Sequence, residues 1–305
     1  MAFPEFYTPD RIGTLYAPQV QAAVEAGLAA GLTPGSNDTR KIYLLLIDMQ
    51  VDFIHPDGNL SVPGAVEDTQ RVVEWIYTHA GEISKIGASL DSHLPIQIFY
   101  STWWQDADGR APSPYTVITS DEVRAGKWQP RYEREWSFNY VEQLEDTSKK
   151  QLMIWPFHTM IGTPGQTLVP ALYEAIAYHS AARQTEPYFL TKGMIAKSEY
   201  YSAIEPEVKV PGDPNGDAKT AFMDELAQYD LIYVAGQAKS HCVLETTTSL
   251  MRYYPPEIVA KIRVLEDGMS SVAHPVIDFD ALADEQYARF AENGLTLTRT
   301  TAELV

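Results

Sequence analysis

Two kinds of segment alternate along the chain. Short runs rich in apolar residues occur at 41–47, 86–90, 152–155, 187–191, 231–234 and 262–266, and an alternation of Leu and Thr at 295–299. These predict strands, and 41–47, with no polar face, predicts one buried on both sides. Between them lie stretches with helical spacing at 17–32, 65–86, 167–180, 218–229, from 243 onward, and 279–292. In the stretch that begins at Val243, the residues Val243, Thr246, Thr247 and Leu250 fall on one helical stripe. Regular strand–helix alternation predicts an α/β fold: three layers, α-β-α, around a central, mostly parallel sheet. One segment breaks the rhythm. Residues 105–139 are rich in Pro, Gly, Asp and Trp, and are read as an insertion near an active site. Residues 1–40 are read as an N-terminal extension to a single domain that takes in the whole of 1–305.

Composition narrows the function classes. Apolar residues make up 45% and aromatics 11% of 305 residues, which suits a globular chain with a sizeable core. The formal net charge of −18 argues against a nucleic-acid partner, which calls for a basic footprint. No apolar run approaches the roughly 20 residues that cross a bilayer, so no membrane partner is expected. A single cysteine excludes a disulfide framework and fits a reducing compartment. Residues 1–10 lack the basic and apolar regions of a secretory leader. A cytoplasmic protein and a homo-oligomer are therefore expected.

The candidate chemistry gathers at strand ends, where ligands bind in parallel α/β sheets. Asp48 follows one strand, Asp91 and His93 another, and Lys192 a third. Cys242 follows a fourth after a short turn and opens a helix, where backbone N–H groups and the helix dipole favour a thiolate. A lone cysteine is more often a small buried hydrophobe, and a strand-end Asp is more often a cap. Together, though, these residues supply a nucleophile, a base and a cation at one edge of one sheet.

Several ordered motifs extend this picture. They are Asp48-Met49-Gln50-Val51-Asp52-Phe53; Asp91-Ser92-His93; Trp155-Pro156-Phe157-His158; Lys192-Gly193 with Tyr201-Ser202-Ala203; and the run from Gly236-Gln237-Ala238 to Cys242-Val243. In this order they resemble the nicotinamidase/isochorismatase-like cysteine hydrolases, and most of all the nicotinamidase branch. The resemblance spans about 41–301. It implies the isochorismatase-like hydrolase fold, a catalytic triad of Asp48, Lys192 and Cys242, and an oxyanion hole from the N–H groups of Ala238 and Cys242. It also implies a cis peptide between Gln237 and Ala238. Asp91, His93 and His158 would be metal ligands, suited to zinc, with iron or manganese as alternatives. Phe53, Trp103 and Trp104 could stack on a flat ring and are taken as substrate-binding residues.

The implied activity is hydrolysis of a small carboxamide to a carboxylate and ammonia through a thioester, with nicotinamide the leading substrate. Other readings stay open: another small amide, a carbamoyl or ureido compound, a vinyl ether, or a non-catalytic binding protein that keeps the fold. Two features depart from the nicotinamidase pattern. Lys239-Ser240-His241 stands where nicotinamidases commonly carry Thr-Asp-Tyr, and the 105–139 segment is long.

Overall fold

The computed structural model describes residues 3–147 and 151–304. Met1 and Ala2, the start of the stretch read for a leader, lie outside the described residues. Six parallel strands form the central sheet, in the order Thr296–Thr298, Ile262–Leu265, Leu231–Gly236, Ile42–Ile47, Lys85–Asp91 and Tyr188–Lys192.

The central strand shows why the fold has three layers. All six of its residues are buried, and successive side chains point to opposite faces. Ile42, Leu44 and Leu46 join a core that includes Val72, Val73 and Ile76 from the helix Ala65–Thr78 and Leu172 and Ile176 from the helix Pro170–Arg183. Tyr43, Leu45 and Ile47 join a second core with Phe222, Leu250 and Tyr287, from the helices Thr220–Leu226, Leu244–Tyr253 and Phe279–Glu292. A continuous apolar run without alternation is what burial on two faces requires.

The N-terminal residues pack onto the first of these faces. The helix Val20–Ala29 lies against Pro170–Arg183, at a contact so close that a Cβ on Gly27 would stand 2.3 Å from the Tyr178 carbonyl oxygen. Glu174 binds Tyr16 Oη at 2.9 Å and the Gln19 amide at 2.7 Å.

Two expectations need correction. The helix from Ala65 stops at Thr78 rather than near 86, because the His79–Gly81 turn intervenes and the Ile83 N–H bonds back to His79. Leu152–Met153 is not a strand of the main sheet; it pairs antiparallel with Val117–Ile118. The 105–139 segment has short elements of its own. It holds the helix Ser120–Arg124, closed by a capping box between Thr119 and Glu122, a second pairing of Trp104–Gln105 with Gln129–Pro130, and the start of the helix Arg134–Thr147. Its Pro and Gly content hid elements only two to five residues long. Among the described residues, no helix is long and apolar enough to cross a membrane.

Candidate active site

The sheet delivers its polar residues to one edge. Asp48 follows Ile47 directly in a left-handed conformation (φ 46°), which turns the chain sharply at the strand end. Asp tolerates that geometry better than a branched residue would. Ser89, on the neighbouring strand, bonds Asp48 twice: its Oγ accepts from the Asp48 amide at 3.0 Å and donates to Oδ1 at 2.6 Å. Asp91 and Lys192 are register partners on adjacent strands. Gly236 ends the strand on the far side of Asp48, with φ 134° and its Cα so near Ile47 that a Cβ would meet the carbonyl oxygen at 2.1 Å. Only glycine fits that crossing. The chain then runs through a cis Gln237–Ala238 peptide, as expected, into a five-residue π-helical turn, Lys239–Val243, that carries Cys242.

These placements converge. Lys192 Nζ lies 2.8 Å from Asp48 Oδ2, 2.9 Å from Asp91 Oδ1, 2.8 Å from the Tyr200 carbonyl and 3.7 Å from Cys242 Sγ. All four side chains are buried. Burial works against the Lys192 cation, but Asp48 and Asp91 outweigh it and hold the ammonium protonated, well above its ordinary value. Burial raises the Asp48 carboxyl, and the neighbouring Asp91 charge adds to this against the pull of Lys192. The Cys242 thiol also moves up. Burial is the largest cause, Lys192 opposes it, and Asp48 and Asp91 add to the rise. This corrects the expectation of a resting thiolate. Burial, with Asp48 and Asp91 adding to it, outweighs the pull of Lys192, so the proton stays on sulfur until a base takes it.

Asp91, His93 and His158 form a second cluster, with ligand atoms all within 4.8 Å of one another. His93 Nε2 lies 2.7 Å and His158 Nε2 3.7 Å from Asp91 Oδ2. Each ring has its other nitrogen fixed by a backbone carbonyl: His93 Nδ1 by Gly193 at 3.1 Å, and His158 Nδ1 by Pro156 at 2.8 Å. That arrangement turns both Nε2 atoms toward Asp91, as the outer partners of metal-binding histidines do. His93 Nε2 is buried with no hydrogen bond of its own, despite the nearby carboxylate. An orphaned nitrogen beside a carboxylate and a second imidazole fits a divalent ion. The pocket is shaped for it too, because a Cβ on Gly193 would stand 2.6 Å from Asp91 Oδ1 and 2.8 Å from His93 Cε1. Gln97, in the stretch after His93 that supplies no further histidine, instead binds the Gly193 and Ile195 carbonyls.

Supporting residues were quoted in the motifs without a role. Gln50 accepts from the Asp91 amide at 2.8 Å and donates to the Asp91 carbonyl at 2.7 Å, which fixes the strand end. Asp52 accepts from the Thr159 amide at 2.7 Å and so anchors the loop that presents His158. Phe53 lines the small cavity at Cys242, with its ring 5.6 Å from that of His158. Ala238 and Cys242 line it as well, along with Trp155, Glu199 and His241.

Trp103 and Trp104 do not. Both indoles are core residues, with Nε1 bonded to Ser137 Oγ and to the Ile98 carbonyl respectively, and neither lines the Cys242 cavity. Core packing is the commoner fate of tryptophans; the aromatic wall comes from Trp155 and Tyr201 instead. His55, His79, His179 and His274 take no part, in line with their lack of a motif.

No protein-family model matches the chain. In sequence, it is similar to the nicotinamidase of Saccharomyces cerevisiae, 24% identical over 237 residues that cover 72% of this chain and 93% of that protein. In structure, it is similar to the yeast nicotinamidase bound to the inhibitor nicotinaldehyde, with a TM-score of 0.57 at 18% identity over 85% of this chain and 99% of that one. An Acinetobacter baumanii nicotinamidase pyrazinamidase gives a TM-score of 0.56 at 17% identity, covering 87% and 98% of the two chains. The structural likeness establishes a shared three-layer fold. With the sequence relationship it supports the nicotinamidase/isochorismatase-like superfamily to which the motifs point.

Proposed function

We propose that this relative of the nicotinamidases is a cysteine amidohydrolase that converts a small carboxamide to a carboxylate and ammonia, with nicotinamide the leading substrate. One observation carries the reading: the Asp48–Lys192–Cys242 cluster adjoins Asp91, His93 and His158 across a single shared carboxylate. A buried thiol, carboxylate and ammonium in contact suit acyl transfer, and a purely structural core has no need of them.

The residues divide the work as follows. Asp48 takes the Cys242 proton as the sulfur attacks the amide carbon. The N–H groups of Ala238 and Cys242 hold the oxygen that becomes negative in the tetrahedral species. Asp48 returns the proton to the amide nitrogen, the C–N bond breaks, and ammonia leaves a thioester on Cys242. Water then attacks the thioester and gives a proton to Asp48, which passes it back to sulfur as the carboxylic acid departs. Lys192 keeps its proton throughout and holds the two carboxylates and the sulfur in place. Asp91, His93 and His158 would hold a divalent ion, zinc first and iron or manganese next, whose Lewis acidity would bind a substrate nitrogen or a water. Phe53 offers one face for a flat ring.

Ammonia release from a panel of small amides tests this reading. Turnover of nicotinamide by the protein, and its loss in Cys242→Ala, are expected. Release at the same rate by Cys242→Ala would overturn the mechanism.

A further inference from the structure

The cavity at Cys242 encloses about 20 Å³, room for roughly one water molecule. Against it lies a second, larger cavity of about 320 Å³, with the lower end of ligand-pocket volumes near 300 Å³. The two share a wall made of Trp155, Glu199, Tyr201 and His241. Beyond the wall the lining turns apolar, with Val117, Tyr140, Leu144, Met153, Phe279 and Leu282.

Both departures from the nicotinamidase pattern meet at this annexe. His241, in the divergent run before the cysteine, stands in the shared wall with its ring 5.3 Å from Trp155 and 4.8 Å from Phe279. The long 105–139 segment contributes Val117, and the helix that begins within it contributes Tyr140 and Leu144. The wall also carries a polar group left without a partner: Glu199 is 5% exposed, and its Oε2 makes no hydrogen bond. Its Oε1 accepts from the Tyr200 amide at 2.9 Å, and a buried carboxyl oxygen left unpaired is costly.

From this geometry we infer that the substrate range extends beyond nicotinamide to primary carboxamides whose acyl part carries an apolar extension, of phenyl size or longer. The extension passes the Glu199 wall and lies in the annexe. The inference rests on the amidohydrolase reading and names its substrate class. The reaction is unchanged: R–CO–NH₂ and water give R–COOH and NH₃, with only R enlarged.

Paired substrates provide the test: nicotinamide against its ring-phenylated derivatives, and butyramide against 4-phenylbutyramide. At least one phenylated member should exceed its parent in kcat/KM by tenfold or more, since a well-fitted apolar group contributes discrimination of that order. Leu282→Trp places bulk in the annexe from its exposed rim, and should lower kcat/KM at least tenfold more for the phenylated amide than for its parent. In parallel, thermal shift of Cys242→Ala should show stabilisation by the phenylated amide that Leu282→Trp removes. Equal or lower kcat/KM for every phenylated partner, or equal loss for both members in Leu282→Trp, overturns the annexe while leaving the amidohydrolase reading in place. Binding without turnover of any amide by the unmodified protein overturns the amidohydrolase reading and with it this inference.

Discussion

Asp91 and Lys192 are register partners on neighbouring parallel strands, and the Lys192 ammonium lies 2.9 Å from Asp91 Oδ1. The other oxygen of the same carboxylate faces His93 and His158. One side chain thus ties the proposed triad to the proposed metal cluster, and its charge is needed on both sides. Burial alone would raise its pKa, yet His93 and Lys192 hold it ionised, well below the usual carboxylate range.

Asp91→Asn keeps the volume and removes the charge. Metal content measured by elemental analysis is expected to fall from about one per chain, with affinity weakened at least 10–100-fold, the range seen even for outer-shell losses. Turnover should fall with it. Gly193→Ala should act in the same direction, because its new Cβ would crowd both Asp91 and His93. Full metal content and full turnover in Asp91→Asn would remove the link argued here.

The raised Cys242 thiol leads to a separate expectation. Alkylation by iodoacetamide should be slow at neutral pH and should keep accelerating through pH 9, because burial and two carboxylates hold the proton on sulfur. Asp48→Asn should lose about 10²–10⁴ in kcat, the usual worth of a positioned base. A labelling rate already at its plateau by pH 7 would show a resting thiolate and reassign the role of Asp48.

Much of this was legible in the sequence because parallel strands are buried on two faces. Ile42–Ile47 and Leu231–Gly236 read as unbroken apolar runs for that reason, and the residues that follow them had to lie at one edge. The motifs likewise placed Asp91, His93 and His158, although 65 residues separate the two histidines. Short elements were not legible. Val117–Ile118 and Gln129–Pro130 have too few residues to show a period, and they owe their conformation to partners far along the chain. The Cys242 environment was not legible for a related reason: the helix end is a local signal, whereas the burial that raises the thiol, and the two carboxylates that add to it, come from elements far along the chain.

Trp104 offers a direct test of the corrected substrate wall. Its indole is fully buried, and Nε1 donates to the Ile98 carbonyl at 2.6 Å. Trp104→Ala is expected to cost about 3–5 kcal/mol in urea unfolding, the range for large aromatic truncation in a core. The KM of folded protein should change little. A raised KM with normal stability would return Trp104 to the substrate site.

His179 governs a pH response unrelated to catalysis. It is 1% exposed between the helix Pro170–Arg183 and the sheet side of the core, and its Nε2 donates to the Ile83 carbonyl at 2.9 Å. Burial, aided by the Arg183 charge, pushes it down to about 4, although the hydrogen bond to Ile83 opposes the shift. In the unfolded chain the same ring titrates near 6.5. Its stabilising contribution is therefore fully present above about pH 6.5 and falls by roughly 1.4 kcal/mol per unit as pH drops toward 4, because only the unfolded chain gains a proton over that range. Urea unfolding at pH 7 and pH 4.5 should show the parent protein losing about 2–3 kcal/mol more than His179→Gln, which keeps a donor for Ile83 but cannot titrate. The same loss in both proteins would mean that His179 takes up its proton in the folded state, and that acid sensitivity arises elsewhere.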